Sequence, residues 1–407
     1  MRSATAFPPG HPMSRPLPMR VAHLTTVDMS LSLLLGAQLD AVVQAGGEAI
    51  GISAPGPYVA ELQRRGIRHV ALSASTRGWN PLADLRAAVE LWHILRRERP
   101  TVLHVHNPKP GLYGRVVGRL ARVPVVVNTV HGLYATEDDT WVRRAIVYAL
   151  EGFASRWSHA ELVQSVEDVA TIRRWRLAAP SKIRHLGNGV DLARFRPDAL
   201  AAERRRAVRA EWGADENTVV IGAVGRLVAE KGYPELFAAL RGLSPAVRTV
   251  VVGGDDPDKA DALPRSVVDA AAADGVRFLG HRSDVDRLLG AFDLFVLASH
   301  REGQPRAAME AAAAGLPVIA TDIRGCRQVV DDGTTGLLVP VGDPKALRVA
   351  ITELTGSADR RAAMGAAAVV KARQEFDERQ VVRRVMATYD EVARRRGITL
   401  VADAVTS

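Results

Sequence analysis

Residues 294–322 read LFVLASHREGQPRAAMEAAAAGLPVIATD, and this stretch decides the fold. The apolar run Leu294–Ala298 predicts a buried parallel strand, and the alanine-rich run Ala307–Ala314 predicts the helix that follows it. Glu302 lies in the polar loop between them, and Glu310 lies on the helix. Two carboxylates therefore follow the carboxyl end of a strand, which is where ligands bind in open α/β sheets.

The same alternation of strand and helix runs along the chain on both sides of this stretch. It predicts two doubly wound parallel sheets, with a domain boundary near residues 191–203 and a ligand cleft between the domains. The predicted parts are a flexible proline-rich tail at 1–18, a first domain at 19–196, a second at 197–377, a returning helix at about 378–396 and a tail at 397–407. Met19 is a candidate start, since no apolar signal region precedes it.

Composition excludes several classes of protein. The single cysteine, Cys326, excludes a disulfide framework and a cysteine-based zinc site, and it favours a reducing cytoplasm. No apolar run approaches the roughly 18 residues of a spanning helix. Aromatic residues make up only 5% of the chain, and no helix-turn-helix or RNA-binding aromatic motif supports a nucleic-acid partner.

Positive charge is concentrated in one part of the chain. The net charge is +9, and Val59–Arg122 alone holds 12 Lys and Arg against four Asp and Glu. A basic first domain indicates an anionic partner such as a membrane surface or a phosphorylated acceptor, although arginines on solvated helices are the alternative. The helix predicted from Trp141 also places apolar side chains in one stripe, which fits either a membrane face or a core.

A second loop adds cations to the predicted site. Gly225 and Arg226 follow the first strand of the second domain, and Lys231 lies five residues beyond Arg226. Two cations and free backbone N–H groups at the start of a helix suit a diphosphate. Solvated loop cations would have the same spacing.

These motifs together resemble the donor site of the retaining glycosyltransferases of family four. The resemblance covers about residues 19–396, and its motifs are Gly225–Gly232, Asn188–Asp191, Arg301–Asp322, Gly325–Val330 and Asp332–Pro340. It implies a GT-B fold, in which two Rossmann-like domains face a cleft. It also implies a nucleotide-sugar donor, for which we expect a UDP-sugar.

The resemblance gives the matching residues their expected roles. Arg226 and Lys231 would hold the diphosphate and stabilise the leaving group. Gly225, which precedes Arg226, is also expected to contact the donor. Glu310 would accept hydrogen bonds from the ribose. The residues expected around the transferred sugar and the base are Glu302, Gly303, Gln304, Pro305 and Arg282.

Polar residues at strand ends in the first domain are the other candidates. His131 follows the strand Val125–Thr129, and from the residues alone we would expect it to cap a loop. The resemblance instead places it near the donor sugar and pyrophosphate. Asn107 and Lys109 follow another strand and are candidate acceptor contacts.

The sequence departs from the family pattern at two places. The loop Thr25–Ser32 has no glycine where many members have a pair, so the backbone must approach the donor differently. Gln328 stands where the family has a glutamate, so we assign it no catalytic role.

The expected reaction is a same-face substitution in which the departing phosphate oxygen takes the acceptor proton. We expect neither a metal ion nor a cofactor, since Arg226 and Lys231 supply the positive charge. The subgroup that the chain resembles works on lipid-diphosphate-linked sugars in surface polysaccharide assembly. We therefore expect a cytoplasmic enzyme, peripheral on the inner face of the plasma membrane.

Other classes remain as alternatives. A nucleotide-sugar 2-epimerase shares the fold, whereas a phosphorylase would need a pyridoxal-binding lysine that has no signature here. A dinucleotide oxidoreductase is disfavoured, because no G-x-G-x-x-G follows the first strand.

Overall fold

The computed structural model describes residues 15–76, 78, 80–106, 108–135, 139–198, 200–257 and 259–402. The chain forms two compact units. The N-terminal unit comprises the residues up to Leu186 and those from Val382 onward, and the C-terminal unit is Gly187–Val381. Each unit is described by itself below.

The N-terminal unit is built on a parallel sheet with helices on both faces. Its strands are β1 (Arg15–Pro18), β2 (Arg20–Val27), β3 (Glu48–Ala54), β4 (Arg68–Ala71), β5 (Val102–Val105), β6 (Val125–Val130), β7 (Ala160–Val163), β8 (Ile183–His185) and, near the end of the chain, β15 (Ile398–Val401). Its helices are α1 (Asp28–Leu33), α2 (Gly36–Gln44), α3 (Val59–Arg64), α4 (Pro81–Glu98), α5 (Pro108–Leu120), α6 (Trp141–Ser155), α7 (Val166–Arg174) and α16 (Glu378–Arg395), whose residues from Val382 belong to this unit.

The C-terminal unit repeats the plan. Its strands are β9 (Val219–Val224), β10 (Val247–Val252), β11 (Val276–Phe278), β12 (Leu294–Leu297), β13 (Val318–Thr321) and β14 (Gly336–Val339). Its helices are α8 (Ala202–Glu211), α9 (Tyr233–Leu240), α10 (Arg265–Ala273), α11 (Val285–Leu289), α12 (Arg306–Ala313), α13 (Arg324–Arg327), α14 (Pro344–Thr355) and α15 (Ala358–Glu375).

The order of the strands shows where each sheet can bind a ligand. The first sheet runs β4-β3-β2-β5-β6-β7-β8 and the second runs β11-β10-β9-β12-β13-β14, with every pairing parallel. In each sheet the order reverses beside its first long strand, between β2 and β5 and between β9 and β12. Such a switch point opens a crevice at the carboxyl ends of the strands. The predicted pair of doubly wound Rossmann-like sheets is confirmed.

Burial on two faces explains the apolar strands. In β12, Phe295 and Leu297 pack into the core under one face of the sheet, whereas Leu294 and Val296 pack into the core under the other. A strand that is covered on both sides has no polar face, so its sequence reads as a continuous apolar run. The predicted helix after it is also confirmed, as α12.

The tails differ from the prediction. Residues 1–14 and 403–407 lie outside the described part of the chain. However, Arg15–Pro18 and Ile398–Val401, both assigned to tails from the sequence, pair as parallel strands β1 and β15. At β1 the prolines misled the prediction, because an edge strand tolerates proline where its missing N–H faces away from the partner. The four residues of β15 contain no proline, and their partner β1 is what makes them a strand.

Candidate functional site

Two loops of the C-terminal unit meet at its switch point. One follows β9 and carries Arg226 and Lys231, and the other follows β12 and carries Glu302. Gly232 brings them together, since it has a φ of 69° and a Cβ there would lie 1.9 Å from the carbonyl oxygen of Ala298. Only glycine fits this left-handed, crowded position.

Lys231 and Glu302 form the charged centre of this site. Lys231 Nζ donates to Glu302 Oε1 at 2.6 Å, and the side chains are 23% and 12% exposed. The hydroxyl of the buried Ser299 donates to the same Oε1 at 2.8 Å. Such charge-assisted hydrogen bonds fix the carboxylate in place. The negative charge of Glu302 also helps burial to raise the pKa of Tyr233.

Arg226 holds a carboxylate of its own. Its Nη1 lies 2.5 Å from Asp256 Oδ2, and its side chain is 42% exposed. The two predicted diphosphate ligands are thus each paired with an acid in this structure.

Glu310 has a partner within its own helix. Arg306, one turn earlier, donates from Nε to Glu310 Oε1 at 3.3 Å. Burial nevertheless raises the pKa of Glu310, and the charges of Arg306 and Arg194 only partly offset it. One long hydrogen bond leaves the carboxylate with room for further donors, such as a vicinal diol.

The backbone of Gly303–Pro305 lies under α13. A Cβ on Gly325 would lie 2.6 Å from the carbonyl oxygen of Gly303, so the helix packs directly on this loop. The Oε1 atom of Gln304 is buried and has no hydrogen-bond partner among the described residues. A buried unpaired acceptor is rare in native structures. It suits the hydroxyl of a sugar.

Arg282 lies in the loop after β11. It forms a bidentate pair with Asp284, at 2.8 and 2.7 Å, and its side chain is 44% exposed. The structure therefore brings Lys231 and Glu302 into contact, whereas Arg282 is held by a neighbour in its own loop. Its predicted role at the base is not tested by these contacts.

The N-terminal unit contains a row of four histidines. His131 Nε2 shares a hydrogen bond with His106 Nδ1 at 3.1 Å, and His106 Nε2 shares one with His23 Nδ1 at 3.0 Å. His23 Nε2 lies 3.3 Å from the hydroxyl of Tyr389, which is also 2.6 Å from His104 Nδ1. The row begins at the switch point, because β2 pairs with β5 and His23 faces His104 in register.

These histidines are neutral. Burial lowers the pKa of His23 to about 3 and that of His131 to about 4, although a hydrogen bond with Gln164 opposes the shift at His131. Burial and the neighbouring imidazoles hold the pKa of His104 and His106 well below its usual value. Desolvation disfavours the imidazolium form. His131 is thus a neutral donor or acceptor at pH 7 and carries no positive charge.

A metal ion is one ligand that the histidines suggest. Ring nitrogens of His23, His104 and His106 lie within 4.8 Å of one another. Each of their six nitrogens already has a protein partner, since His104 Nε2 bonds to Thr129 Oγ1 at 2.7 Å. The set is therefore better described as a hydrogen-bonded row than as a preformed metal site.

The predicted acceptor residues have different outcomes. Asn107 lies outside the described residues. Lys109 is only 11% exposed, with its Nζ 2.5 Å from Asp84 Oδ1 and 2.6 Å from the carbonyl oxygen of Gly78. These contacts anchor the loop before α4 to α5, and a contact of Lys109 with an acceptor stays a prediction.

Sequence reasoning missed the residues that support the predicted ones. Ser299 and Asp256 hold Glu302 and Arg226. A signal existed for part of the row, because His104 and His106 are two apart at the end of an apolar run that predicts a strand, where such residues share a face. Tyr389 had no signal, since it is 285 residues from His104 in sequence.

Two helices of the N-terminal unit expose apolar side chains. In α6, Trp141 is 74% exposed and Phe153 50% exposed, with three further apolar residues exposed between them: Val142, Ile146 and Leu150. In α4 the exposed residues are Leu82, Leu85, Val89 and Trp92. Helix α5 packs between α4 and α6. We call this surface the α4–α6 face. The stripe that begins at Trp141 is therefore exposed and is not part of the core, except at the buried Tyr148.

The α6 side of the α4–α6 face is also basic. A groove of about 860 Å³ runs along α6, lined by Trp141, Phe153 and Trp175 together with Arg144, Arg156 and Arg176. Among the described residues no helix is long and apolar enough to cross a bilayer. Apolar and guanidinium groups on one face are typical of helices that lie in a membrane interface.

Comparison with known proteins identifies the family. Residues 204–370 match the model of the glycosyl transferases group 1 family, and residues 34–189 match a glycosyl transferase 4-like domain. The chain is 32% identical over 281 residues to the UDP-Gal:alpha-D-GlcNAc-diphosphoundecaprenol alpha-1,3-galactosyltransferase of Escherichia coli, covering 67% of this chain and 71% of that one. The chain therefore belongs to the glycosyl transferases group 1 family and is a glycosyltransferase.

A more distant relative and a solved structure agree. The chain is 23% identical to the N,N'-diacetylbacillosaminyl-diphospho-undecaprenol alpha-1,3-N-acetylgalactosaminyltransferase of Campylobacter jejuni, over 92% of this chain and 99% of that one. The crystal structure of Anabaena HepE in complex with UDP and glucose superimposes with a TM-score of 0.76 at 20% identity, covering 92% of this chain and all of that one. The predicted GT-B fold is confirmed.

Proposed function

We propose that this glycosyltransferase moves a sugar from a UDP-sugar to a lipid-diphosphate-linked sugar, with retention and without a metal ion. The observation that carries the proposal is the Lys231–Glu302 pair, held by Ser299 at the switch point of the C-terminal sheet. It places a cation for a leaving phosphate beside an acid for a sugar hydroxyl.

The names of two relatives support the choice of substrates. The Escherichia coli relative takes UDP-Gal and a diphosphoundecaprenol-linked sugar, and the acceptor of the Campylobacter relative is also linked to diphospho-undecaprenol. UDP is bound in the HepE structure. We extend both substrate classes to this chain.

The chemistry follows from the charges. When the donor binds, Lys231 and Arg226 exchange their carboxylate partners for phosphate oxygens. They then stabilise the negative charge that develops on the diphosphate as the sugar–phosphate bond breaks. The released Glu302 then accepts from a sugar hydroxyl. In a same-face substitution, the departing phosphate oxygen takes the proton of the acceptor hydroxyl, so no base on the protein is required.

Calorimetry tests the donor half of this proposal. We expect UDP to bind at least tenfold more tightly than GDP or ADP, equally well with and without EDTA. Preference for another nucleotide, or affinity that EDTA abolishes, contradicts the proposed donor or the absence of a metal. Nuclear magnetic resonance of the purified product tests retention, and inversion of the anomeric centre rules out the same-face mechanism.

The proposed acceptor also implies contact with a membrane, for which the α4–α6 face is suited. The partner that we propose is an anionic lipid bilayer, because arginines accompany the exposed aromatic side chains. Juxtaposed cations gain about 1 kcal/mol each at such a surface, and buried aromatic groups add to this.

Flotation with vesicles tests the membrane partner. The full chain is expected to float with phosphatidylglycerol vesicles and to stay soluble with phosphatidylcholine vesicles. Trp141→Ser with Phe153→Ser is expected to weaken binding at least tenfold. The matched control is Val349→Ser with Val370→Ser, which removes two exposed apolar side chains from the C-terminal unit. An equal loss in both variants, or none in either, contradicts this surface.

A further inference from the structure

The histidine row imposes a direction on its hydrogen bonds. A neutral imidazole has one N–H donor and one bare nitrogen acceptor. His23 and His106 each have both nitrogens bonded to protein partners, at 3.0, 3.1 and 3.3 Å along the row. If His106 receives at Nε2 it must donate at Nδ1, and the reverse also holds. The proton positions are therefore coupled along the whole row. At its far end His131 also hydrogen-bonds the side chain of Gln164, whose amide can donate or accept and so fits either direction.

Tyr389 is the end that sets the direction. Its hydroxyl has a single hydrogen but faces two nitrogens, His104 Nδ1 at 2.6 Å and His23 Nε2 at 3.3 Å. Donation by a hydroxyl gives the shorter hydrogen bonds, and donation by a ring N–H gives the longer ones. Tyr389 therefore donates to His104 and accepts from the Nε2–H group of His23.

The rest of the row follows. His23 Nδ1 is bare and accepts from His106 Nε2–H, and His106 Nδ1 is bare and accepts from His131 Nε2–H. His104, with its bare Nδ1 on Tyr389, donates from Nε2 to Thr129. Every hydrogen in this arrangement has one acceptor, as a fully buried polar network requires.

We infer that Tyr389 fixes the tautomer of His131 through His23 and His106, keeping the His131 proton on Nε2 and leaving Nδ1 as an acceptor. Tyr389, His23 and His106 are thus positioning residues that act through His131. The use of this tautomer in sugar transfer rests on the proposed function, whereas the tautomer itself does not.

The alternative is that His23, His104 and His106 hold a metal ion. An ion would take the place of the hydrogens shared within the row, including the contact of His23 with His106. Metal binding would then leave the His131 ring without a fixed proton direction. The two arrangements give opposite results in one experiment.

Long-range proton–nitrogen spectra of the full chain labelled with ¹⁵N-histidine distinguish the tautomers, with His131→Gln used to assign the His131 signals. We expect a single Nε2–H tautomer at His131 in the wild type at pH 7. In Tyr389→Phe the direction is no longer imposed, and the tautomer ratio of His131 should move about tenfold, the effect of one buried hydrogen bond.

Tyr113→Phe is the matched control. Tyr113 is partly buried in the same unit, and its hydroxyl bonds to Ser75 outside the row. This variant loses a hydroxyl but should keep the wild-type His131 spectrum.

Three results overturn the inference. They are an Nδ1–H tautomer at His131 in the wild type, an unchanged ratio in Tyr389→Phe, and stoichiometric binding of Zn²⁺ that shifts the signals of His23, His104 and His106. The wild-type spectrum tests the Nε2–H tautomer of His131 even if Tyr389→Phe does not fold. Since the spectrum needs no sugar, failure of UDP to bind would refute the proposed function alone.

Discussion

The switch points of the two sheets have the same strand topology, but one gathers ionised side chains and the other gathers neutral ones. In the C-terminal unit the loops after β9 and β12 bring together ionised groups, the pairs Lys231–Glu302 and Arg226–Asp256. In the N-terminal unit, β2 and β5 bring together imidazoles whose pKa burial holds far below 7. One topology thus supports a charged site and a neutral one.

Solvent access explains the difference. The side chains of Arg226 and Lys231 retain 42% and 23% of their exposure, so their charges stay partly hydrated. His23 and His104 are fully buried on the strands themselves. A charge buried there would cost several kcal/mol, whereas neutral rings satisfy one another by hydrogen bonds. At these two switch points the charged groups lie in loops and the neutral imidazoles of His23 and His104 lie on the strands.

Acid should destabilise the N-terminal unit more than the C-terminal unit. The fold of the N-terminal unit lowers the pKa of several of its histidines below the unfolded value of 6.5. These are the four of the row, His23, His104, His106 and His131, and three outside it, His69, His159 and His185. Their stabilising effect is complete above pH 6.5 and is lost as the pH falls toward the folded pKa values. At pH 5.5 each histidine of the row should cost about 1 kcal/mol, or about 4 kcal/mol for the row, and the three histidines outside it add to the loss.

Hydrogen exchange at pH 7.5 and 5.5, corrected for intrinsic rates, measures this loss in each unit. The C-terminal unit is an internal control, because its two histidines, His281 and His300, are exposed. Equal loss of protection in both units would contradict the neutral row.

Lys231→Ala should have the next largest effect. Removal of a cation that stabilises the leaving diphosphate should lower sugar transfer about 100- to 1000-fold and weaken UDP binding in calorimetry. Lys345→Ala, at an exposed lysine of the same unit, is the control.

A double variant separates two roles of this lysine. If Lys231 only neutralises Glu302, then adding Glu302→Gln to Lys231→Ala will restore UDP affinity. We expect no restoration, because the phosphate loses its cation in either background.

Gly232→Ala tests whether backbone contact positions the charged loops. Its Cβ would lie 1.9 Å from the Ala298 carbonyl oxygen, and we expect a loss of more than about 3 kcal/mol of unfolding free energy. Gly242→Ala has nearly the same φ, 68°, but its Cβ would meet only the Arg348 side chain at 4.0 Å, so it should cost only about 1–2 kcal/mol. Urea unfolding measures both, and equal losses would show that strain alone matters.

Glu310→Gln should have the smallest effect. A charged acceptor for the ribose is replaced by a neutral one, so UDP should bind about tenfold more weakly. Stability should not fall, since burial already raises the pKa of Glu310 and makes its ionised form costly.

The ligand 2′,3′-dideoxy-UDP sharpens this test. The wild type should lose affinity for it, and Glu310→Gln should lose none further. Glu378→Gln, which removes the other carboxylate near Arg306, should bind UDP like the wild type. An additive effect of variant and ligand would remove Glu310 from the ribose.

Sequence sufficed for most of the charged site and for little of the neutral one. The motif around Glu302 and Glu310 is continuous in sequence, and Arg226 and Lys231 follow an apolar run that plainly predicts a strand. The partners of these residues were missed, because Asp256 lies 30 residues from Arg226 and pairs with it only once β9 and β10 are adjacent.

The sequence by itself determined the repeated α/β units, the two doubly wound sheets, the family and the charged motifs, because these depend on local periodicity and contiguous residues. Only the tertiary structure decided the histidine row, which joins β2, β5 and the residue after β6 to Tyr389 on α16. His23 meets His106 across 83 residues and Tyr389 across 366. Such contacts depend on strand register and helix docking, which are set by the packing of the whole unit rather than by any segment of it.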